Sequence, residues 1–433
     1  MSPTPSKTDP HNATMAPVAV TSFKTPKGQE VWYVQSDVVP LIALSFIFEG
    51  GASQESAHKA GAAQMMTSLL DEGAGPYSSE EFQERLASHA IELSFSASID
   101  SVSGSLRSLE KNAEEAFDLL RLALTSPTFD SVAIERIRSQ IIAGLKHQQN
   151  DPASISSKLF FEKAFPGHPY AYPISGTLET IPTIHRDDLT VLHRLLFGKG
   201  RVKIAAAGSL DPKVLANLID KVFSDLPSAQ PLKAIPQISI SNIGKQFISE
   251  VDVPQSVIRF GMNGIPRLDK DFIPSYVFNH IFGGGIFSSR LFVEVREKRG
   301  LAYSIGTGLS SYRSAAITAG YTATKNERVQ ECLDVISEQI IKLKNEGVTE
   351  DELQKAKDYL TGSYLLAFDT STKIASRLSG LAFEGLGIDY ISNRNQKILD
   401  VTQDDIKRVA SRILGDGEFL SIIVGKPVNL RKK

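Results

Sequence analysis

Cysteine is nearly absent: the 433-residue chain holds one, Cys332. That excludes an intramolecular disulfide framework and any cysteine-cluster metal site. Cys332 falls in an amphipathic run, where it is expected to pack as a small apolar side chain. Net charge is nearly absent as well. Lys and Arg number 47 against 49 Asp and Glu, a formal −2. No cationic surplus argues for nucleic acid or an anionic membrane as partner. The terminal Arg431-Lys432-Lys433 is short enough to be solvated tail. No apolar run reaches the roughly 18 residues of a membrane helix. Residues 1–20 are rich in Pro, Ser and Thr and lack a continuous apolar core, so they are expected to form a disordered tail rather than a secretory signal. The expected compartment is the cytoplasm, or the periplasm if a leader was removed before residue 1.

Several kinds of chemistry lack their residues. The eight histidines are His11, His58, His89, His147, His168, His185, His193 and His280. No two stand four apart, the spacing that puts a pair of imidazoles on one helix face. His185 and His193 could share a face of one predicted helix, but no acid stands at a matching zinc spacing. Each histidine is expected to be a core or surface residue. There is no GxSxG elbow, and Cys332 on a helix supports no nucleophilic hydrolase. Gly283-Gly284-Gly285 lacks the spacing of a phosphate loop.

What is present is a repeat. The length exceeds one typical core, and 42% apolar with 22% charged residues is ordinary for a globular protein. Residues 181–208 align with 399–425: Asp187-Asp188-Leu189 on Asp404-Asp405-Ile406, Gly198 and Gly200 on Gly415 and Gly417, and Gly208 on Gly425. Both segments read as an Asp-capped helix, a glycine turn and a buried strand. GAGPYSSEEF (73–82) likewise aligns with GGGIFSSRLF (283–292), and AIERIRSQII (133–142), more weakly, with ELQKAKDYLT (352–361). The pattern predicts an α+β fold of two homologous domains, residues 21–227 and 245–433, each a mixed, mostly antiparallel sheet packed by helices. Residues 228–244, with two prolines and no helical period, read as an extended linker. The two halves are expected to face each other across a cleft.

Three stretches carry a family likeness: VPLIALSFIFEGGASQE (39–55), PGHPYAYPISG (166–176) and FNHIFGGGIFSSRLFVEVREKRGLAYSIGTGLSSY (278–312). Together they resemble the pitrilysin/insulinase-like zinc metallopeptidases, in particular their mitochondrial-processing-peptidase-like bacterial branch, over about residues 21–428. Active members of that family carry HxxEH on the first long helix of the N-terminal half. Two His grip zinc, and the Glu polarises the bound water. Here the resemblance puts Gln64, Thr67 and Ser68 at those positions, within GAAQMMTSLL (61–70). The third ligand, a Glu further along, falls on Ala143 or Gly144. All three ligands and the base are missing, so the resemblance implies no cofactor on this chain.

The family's paired Arg and Tyr, seven residues apart, match Arg296 and Tyr303. A guanidinium and a phenol aimed at a peptide carbonyl can stabilise the negative charge that attack builds there. By pattern alone, Arg296, Lys298 and Arg299 could simply favour the C-terminal dipole of a helix capped by Ser288 or Ser289 and ended by Gly300, and Tyr303 could pack. Gly283, Gly284 and Gly285 could be a sharp turn, or could let a bound peptide approach the backbone. PGHPY reads as a structural loop. The resemblance implies a non-metallated subunit of a heterodimeric zinc peptidase: a homologous subunit bearing HxxEH brings zinc, Arg296 and Tyr303 serve as catalytic residues, the three glycines line the path of peptide substrates, and neither nucleic acid nor membrane is a partner. Two alternatives stay open: an inert structural or peptide-binding scaffold of the same fold, and an autonomous peptidase with an unfamiliar metal site.

Overall fold

A computed structural model describes residues 18–431. Residues 1–17, most of the expected tail, and the last two lysines lie outside the described residues.

The N-terminal half builds a six-stranded sheet from β1 (Thr21–Lys24), β2 (Glu30–Gln35), β3 (Leu41–Glu49), β4 (Glu92–Ala97), β5 (Ser101–Leu109) and β6 (Val202–Gly208), in the order β1-β2-β6-β3-β5-β4. Its helices are α1 (Ala62–Thr67), α2 (Ser79–Ser88), α3 (Ala113–Thr125), α4 (Ser131–Gln148), α5 (Pro152–Ala164), α6 (Arg186–Leu196) and α7 (Pro212–Phe223). The C-terminal half has five strands, β7 (Gln246–Ser249), β8 (Gln255–Asn263), β9 (Ala302–Ser311), β10 (Ala316–Lys325) and β11 (Leu420–Val424), in the order β7-β11-β8-β10-β9. Seven helices follow the same plan: α8 (Phe272–Asn279), α9 (Arg290–Phe292), α10 (Val329–Glu346), α11 (Glu350–Gly362), α12 (Ser371–Phe383), α13 (Tyr390–Leu399) and α14 (Gln403–Leu414).

Five strands of the first sheet, β2-β6-β3-β5-β4, match the five of the second in order, and β1 is an added edge strand. Each has one parallel pair, β2 with β6 and β7 with β11, and is otherwise antiparallel. The repeated helix–turn–strand unit is α6–β6 in one half and α14–β11 in the other. Its aspartates do not sit at the N-cap. His185 and Thr402 precede the helices, and Asp188 and Asp405 reach back from the third helical position to the backbone N–H of those residues. A carboxylate there satisfies an amide at the positive helix end, so the sequence signal was real but displaced by three residues.

Each sheet buries one face against its own helices, giving a core around Phe46, Phe48, Phe117 and Phe223 and a second around Phe260, Phe278 and Ile336. The opposite faces are covered by exchange. Helix α12 of the C-terminal half packs on β6 and β3, joining Leu378 and Leu381 to Trp32, Val34, Ala205 and Ala207. Helix α5 of the N-terminal half packs on β11 and β8, joining Phe160 to Leu420 and Ile422. Strands buried on both faces need no polar alternation, which is why β3 reads LIALSFIF and β11 reads LSIIV. Residues 228–244 carry no helix or strand. The cleft expected between the halves is present as a cavity of about 1480 Å³.

Candidate functional site

The GAAQMMTSLL stretch does not form a long helix. Helix α1 has six residues and passes into turns at Ser68. Its N-terminus is held by Glu55, whose carboxylate accepts hydrogen bonds from the backbone N–H of Gly61 at 3.0 Å and of Ala63. Burial pushes Glu55 up to about 8, against the two amides that favour its charged form. Gln64 lines the large cavity. Thr67 is 3% exposed, and the hydroxyls of Thr67 and Ser68 both donate to the Gln64 carbonyl at 3.0 Å. Ala143 and Gly144 are exposed on α4 and offer no carboxylate. These residues do not fit zinc. Among the described residues, no group of three or more His, Cys, Asp or Glu could hold a metal ion.

The histidines are apart. His185 precedes α6, whereas His193 is buried on it between the rings of Phe129 and Phe197. Burial lowers His193 to about 4. His280 is buried and stacks on Tyr359 at 4.8 Å. Cys332 is buried in α10, its thiol pushed up to about 12 by burial.

In the C-terminal half, SSRLFVEVREKRG is not one capped helix. Three α-helical residues, Arg290–Phe292, run into a π-helical turn over Val293–Glu297, and Gly300 ends it with φ +56°. Ser289 makes no cap; its buried hydroxyl has no hydrogen-bond partner. The π turn carries Arg296, and the next strand, β9, carries Tyr303 at its second position. The Arg296 guanidinium carbon lies 4.8 Å from the ring centroid of Phe292, 5.0 Å from that of Tyr303 and 5.7 Å from that of Phe287. Tyr303 is 84% exposed, so it is not a packing residue. Phe287 is 65% exposed with φ +67°, a strained conformation for an aromatic residue. Arg290, Lys298 and Arg299 pair with Glu352 or Glu294, but Arg296 pairs with no acid among the described residues.

Gly283 and Gly285 are buried. A Cβ at Gly283, Gly284 or Gly285 would meet the Thr307 hydroxyl at 2.6 Å, the Asn279 amide at 2.5 Å or the His280 carbonyl at 2.8 Å. Close packing against the chain's own residues therefore requires these glycines.

The large cavity is lined from one half by Gln64, Asp100 and Tyr170 and from the other by Tyr312, Arg313 and Phe383; Arg296 and Tyr303 are not part of its lining. A buried polar network ties the halves at its wall. The Tyr170 hydroxyl lies 2.8 Å from both Asp100 oxygens and accepts from the Ser314 N–H at 2.9 Å, while the Arg313 N–H donates to Asp100 at 2.9 Å. Burial and the Asp100 charge raise the pKa of Tyr170. Sequence reasoning missed this network. It also missed Arg259, although one charge inside the apolar strand QSVIRFGM was a visible signal.

Two homologous α+β domains and a cavity between them define the class of fold, and no group of three or more His, Cys, Asp or Glu among the described residues could hold a metal ion in it. Comparison with known families agrees. Residues 31–178 match the family described as insulinase (peptidase family M16), and residues 183–360 match the peptidase M16 inactive domain. The chain belongs to peptidase family M16. A non-peptidase homolog, YmxG, of Helicobacter pylori is 25% identical over 374 residues, covering 86% of this chain and 85% of that protein. An uncharacterized zinc protease of Streptomyces coelicolor is 27% identical over 353 residues, 76% of each chain. Among solved structures, a peptidase M16 inactive domain from Pseudomonas fluorescens superposes with a TM-score of 0.88 at 26% identity, covering 96% of this chain and 99% of that one. No helix of the described residues is long and apolar enough to cross a membrane.

Proposed function

We propose that this chain is the non-metallated subunit of a heterodimeric zinc peptidase. A homologous subunit with an intact HxxEH motif brings the metal, and Arg296 and Tyr303 act on the scissile carbonyl of an unfolded peptide. The observation that carries this reading is the state of Arg296. Its guanidinium is framed by three aromatic rings, has no carboxylate partner among the described residues, and stands beside an exposed phenol. Rings hold a cation in place without occupying its N–H donors, which remain available for an oxyanion. A charge serving only the helix dipole needs no such frame. The three glycines hold the loop that carries Phe287, and a peptide passing that loop would meet its exposed apolar residues Ile286 and Phe287.

The test is reconstitution. Alone, the chain should hydrolyse no peptide. Mixed with an HxxEH-bearing M16 subunit from the same cell, it should restore hydrolysis, and Arg296→Ala or Tyr303→Phe should then cut kcat by about 10²–10³, the range for losing one oxyanion donor. Failure to restore hydrolysis would make the chain an inert scaffold of the same fold, and restored hydrolysis with unchanged kinetics in both variants would demote Arg296 and Tyr303 to structural residues.

A further inference from the structure

Arg259 is the one charge in the central strand β8. Its Cα partners are Ile422 on β11 and Tyr321 on β10, and Tyr321 is paired in turn with Gly306 on β9. Residues directly opposite in antiparallel pairs project to the same side, so these four share a face. It is the face that α5 covers over β11 and β8. Ile422 is fully buried there, whereas Tyr321 is half-buried. At Gly308, two residues along β9, an added Cβ would meet no atom within 4 Å. Arg259 therefore stands at the margin between the covered and the open part of the sheet.

Its surroundings leave the charge uncompensated. The Nε is buried without a hydrogen-bond partner, and no carboxylate among the described residues pairs with it. The guanidinium carbon lies 5.6 Å from the Tyr321 ring centroid. The titratable groups acting on it are the hydroxyls of Tyr321 and Tyr312, and burial lowers its pKa. Arginine keeps its proton at any working pH, so a half-buried guanidinium without an anion is costly. Arg290 is satisfied by Glu352 and the buried Arg394 by the Leu360 carbonyl. Arg201 keeps two buried nitrogens without a partner but donates from its third to the Leu195 carbonyl, whereas Arg259 shows no hydrogen bond from any of its three among the described residues. Tyr312 also lines the large cavity, but Arg259 and Tyr321 do not; the space beside them is the open part of the sheet around Gly308.

We propose that Arg259 anchors a carboxylate of a peptide lying on this open strip of sheet, with the Tyr321 ring flanking the ion pair. A carboxylate matches the planar fork of a guanidinium and would pair with its two terminal nitrogens, which unlike Nε are not buried without a partner, and so compensate the charge. It can come from an acidic side chain or from the peptide's C-terminus. The inference rests on the peptide-binding reading above and narrows its substrate class to carboxylate-bearing peptides.

Isothermal titration calorimetry on the full chain without a partner tests it. The probes are a short unstructured peptide with one Glu and a free C-terminus, its Glu→Gln form, its C-terminal amide, and the form carrying both changes. One neutralised carboxylate should weaken binding by about tenfold, as expected for a lost charge-assisted hydrogen bond, and which one does so identifies the source. Arg259→Gln should abolish that difference, and Arg259→Lys should keep part of it. Equal affinity for all four peptides, no binding at all, or an equal loss on every peptide in Arg259→Gln overturns the proposal. Carboxylate discrimination without any partner that restores hydrolysis would sink the heterodimer and leave this site; restored hydrolysis without discrimination would do the reverse.

Discussion

Thr67, which the family resemblance aligns with the Glu of HxxEH, sits where a carboxylate would be poorly tolerated. The side chain is 3% exposed, among the fully buried Met65, Met66 and Leu70, and its hydroxyl is spent on a carbonyl one turn back. A Glu there would carry a charge into that core, and an unpaired buried carboxylate costs several kcal/mol or takes up a proton. Restoring the motif by Gln64→His, Thr67→Glu and Ser68→His should therefore lower stability by about 2 kcal/mol or more. It should not yield stoichiometric zinc, because Ala143 and Gly144 supply no third ligand. Denaturant unfolding and metal analysis after dialysis check both outcomes; one retained zinc per chain would show that only the motif residues had been lost. Arg296 is the counter-example: the nearby Arg290, Lys298 and Arg299 pair with Glu352 or Glu294, while it is held by rings.

At the scale of elements, much was readable because capping and periodicity are local. The α6–β6 and α14–β11 units were visible through Asp188, Asp405 and the glycines after each helix. The helices containing Phe117 and Cys332 were visible through their apolar stripes. The π turn bearing Arg296 was not, because its apolar residues are spaced as for an ordinary helix. Nor was the start of α1, which is held by Glu55, six residues before the first amide from which it accepts a hydrogen bond. That carboxylate has a consequence for pH. The folded chain keeps the Glu55 proton up to about pH 8, whereas the unfolded chain releases it near 4.5. Its contribution to stability is complete below about 4.5 and is lost as pH rises to 8, at no more than about 1.4 kcal/mol per pH unit. Glu55→Gln should remove this slope. It should also cost about 1 kcal/mol at pH 5, since an amide offers one acceptor oxygen where the carboxyl group has two. Denaturant unfolding of both proteins at pH 5 to 8 should show the gap between them closing and then reversing as pH rises, the Gln variant becoming the more stable; a constant gap would show that Glu55 does not titrate in that range.

The whole molecule is held together by the exchange of helices, which the repeat in sequence could not reveal: α5 and α12 follow equivalent elements, but nothing in their patterns says which sheet each one covers. Each half lends a helix to the other, and the Ser45 and Ser379 hydroxyls are bonded across the join at 2.8 Å. The Asp100–Tyr170–Ser314 network closes a second join from the loop that looked merely structural in sequence. Interlocked halves should unfold together, because removing one uncovers Trp32 and Val34 or Leu420 and Ile422. Phe160→Ala tests this. The ring is 1% exposed and packs on the glycine face of β8 at Gly261, so its loss should cost about 3–5 kcal/mol. The substitution lies in the N-terminal half, yet hydrogen exchange should show protection falling first in β8 and β11, and thermal unfolding should remain a single transition. Loss of protection confined to α5 and its own half, or a split transition, would mean that the halves are separable and that the exchanged helices are not what binds them.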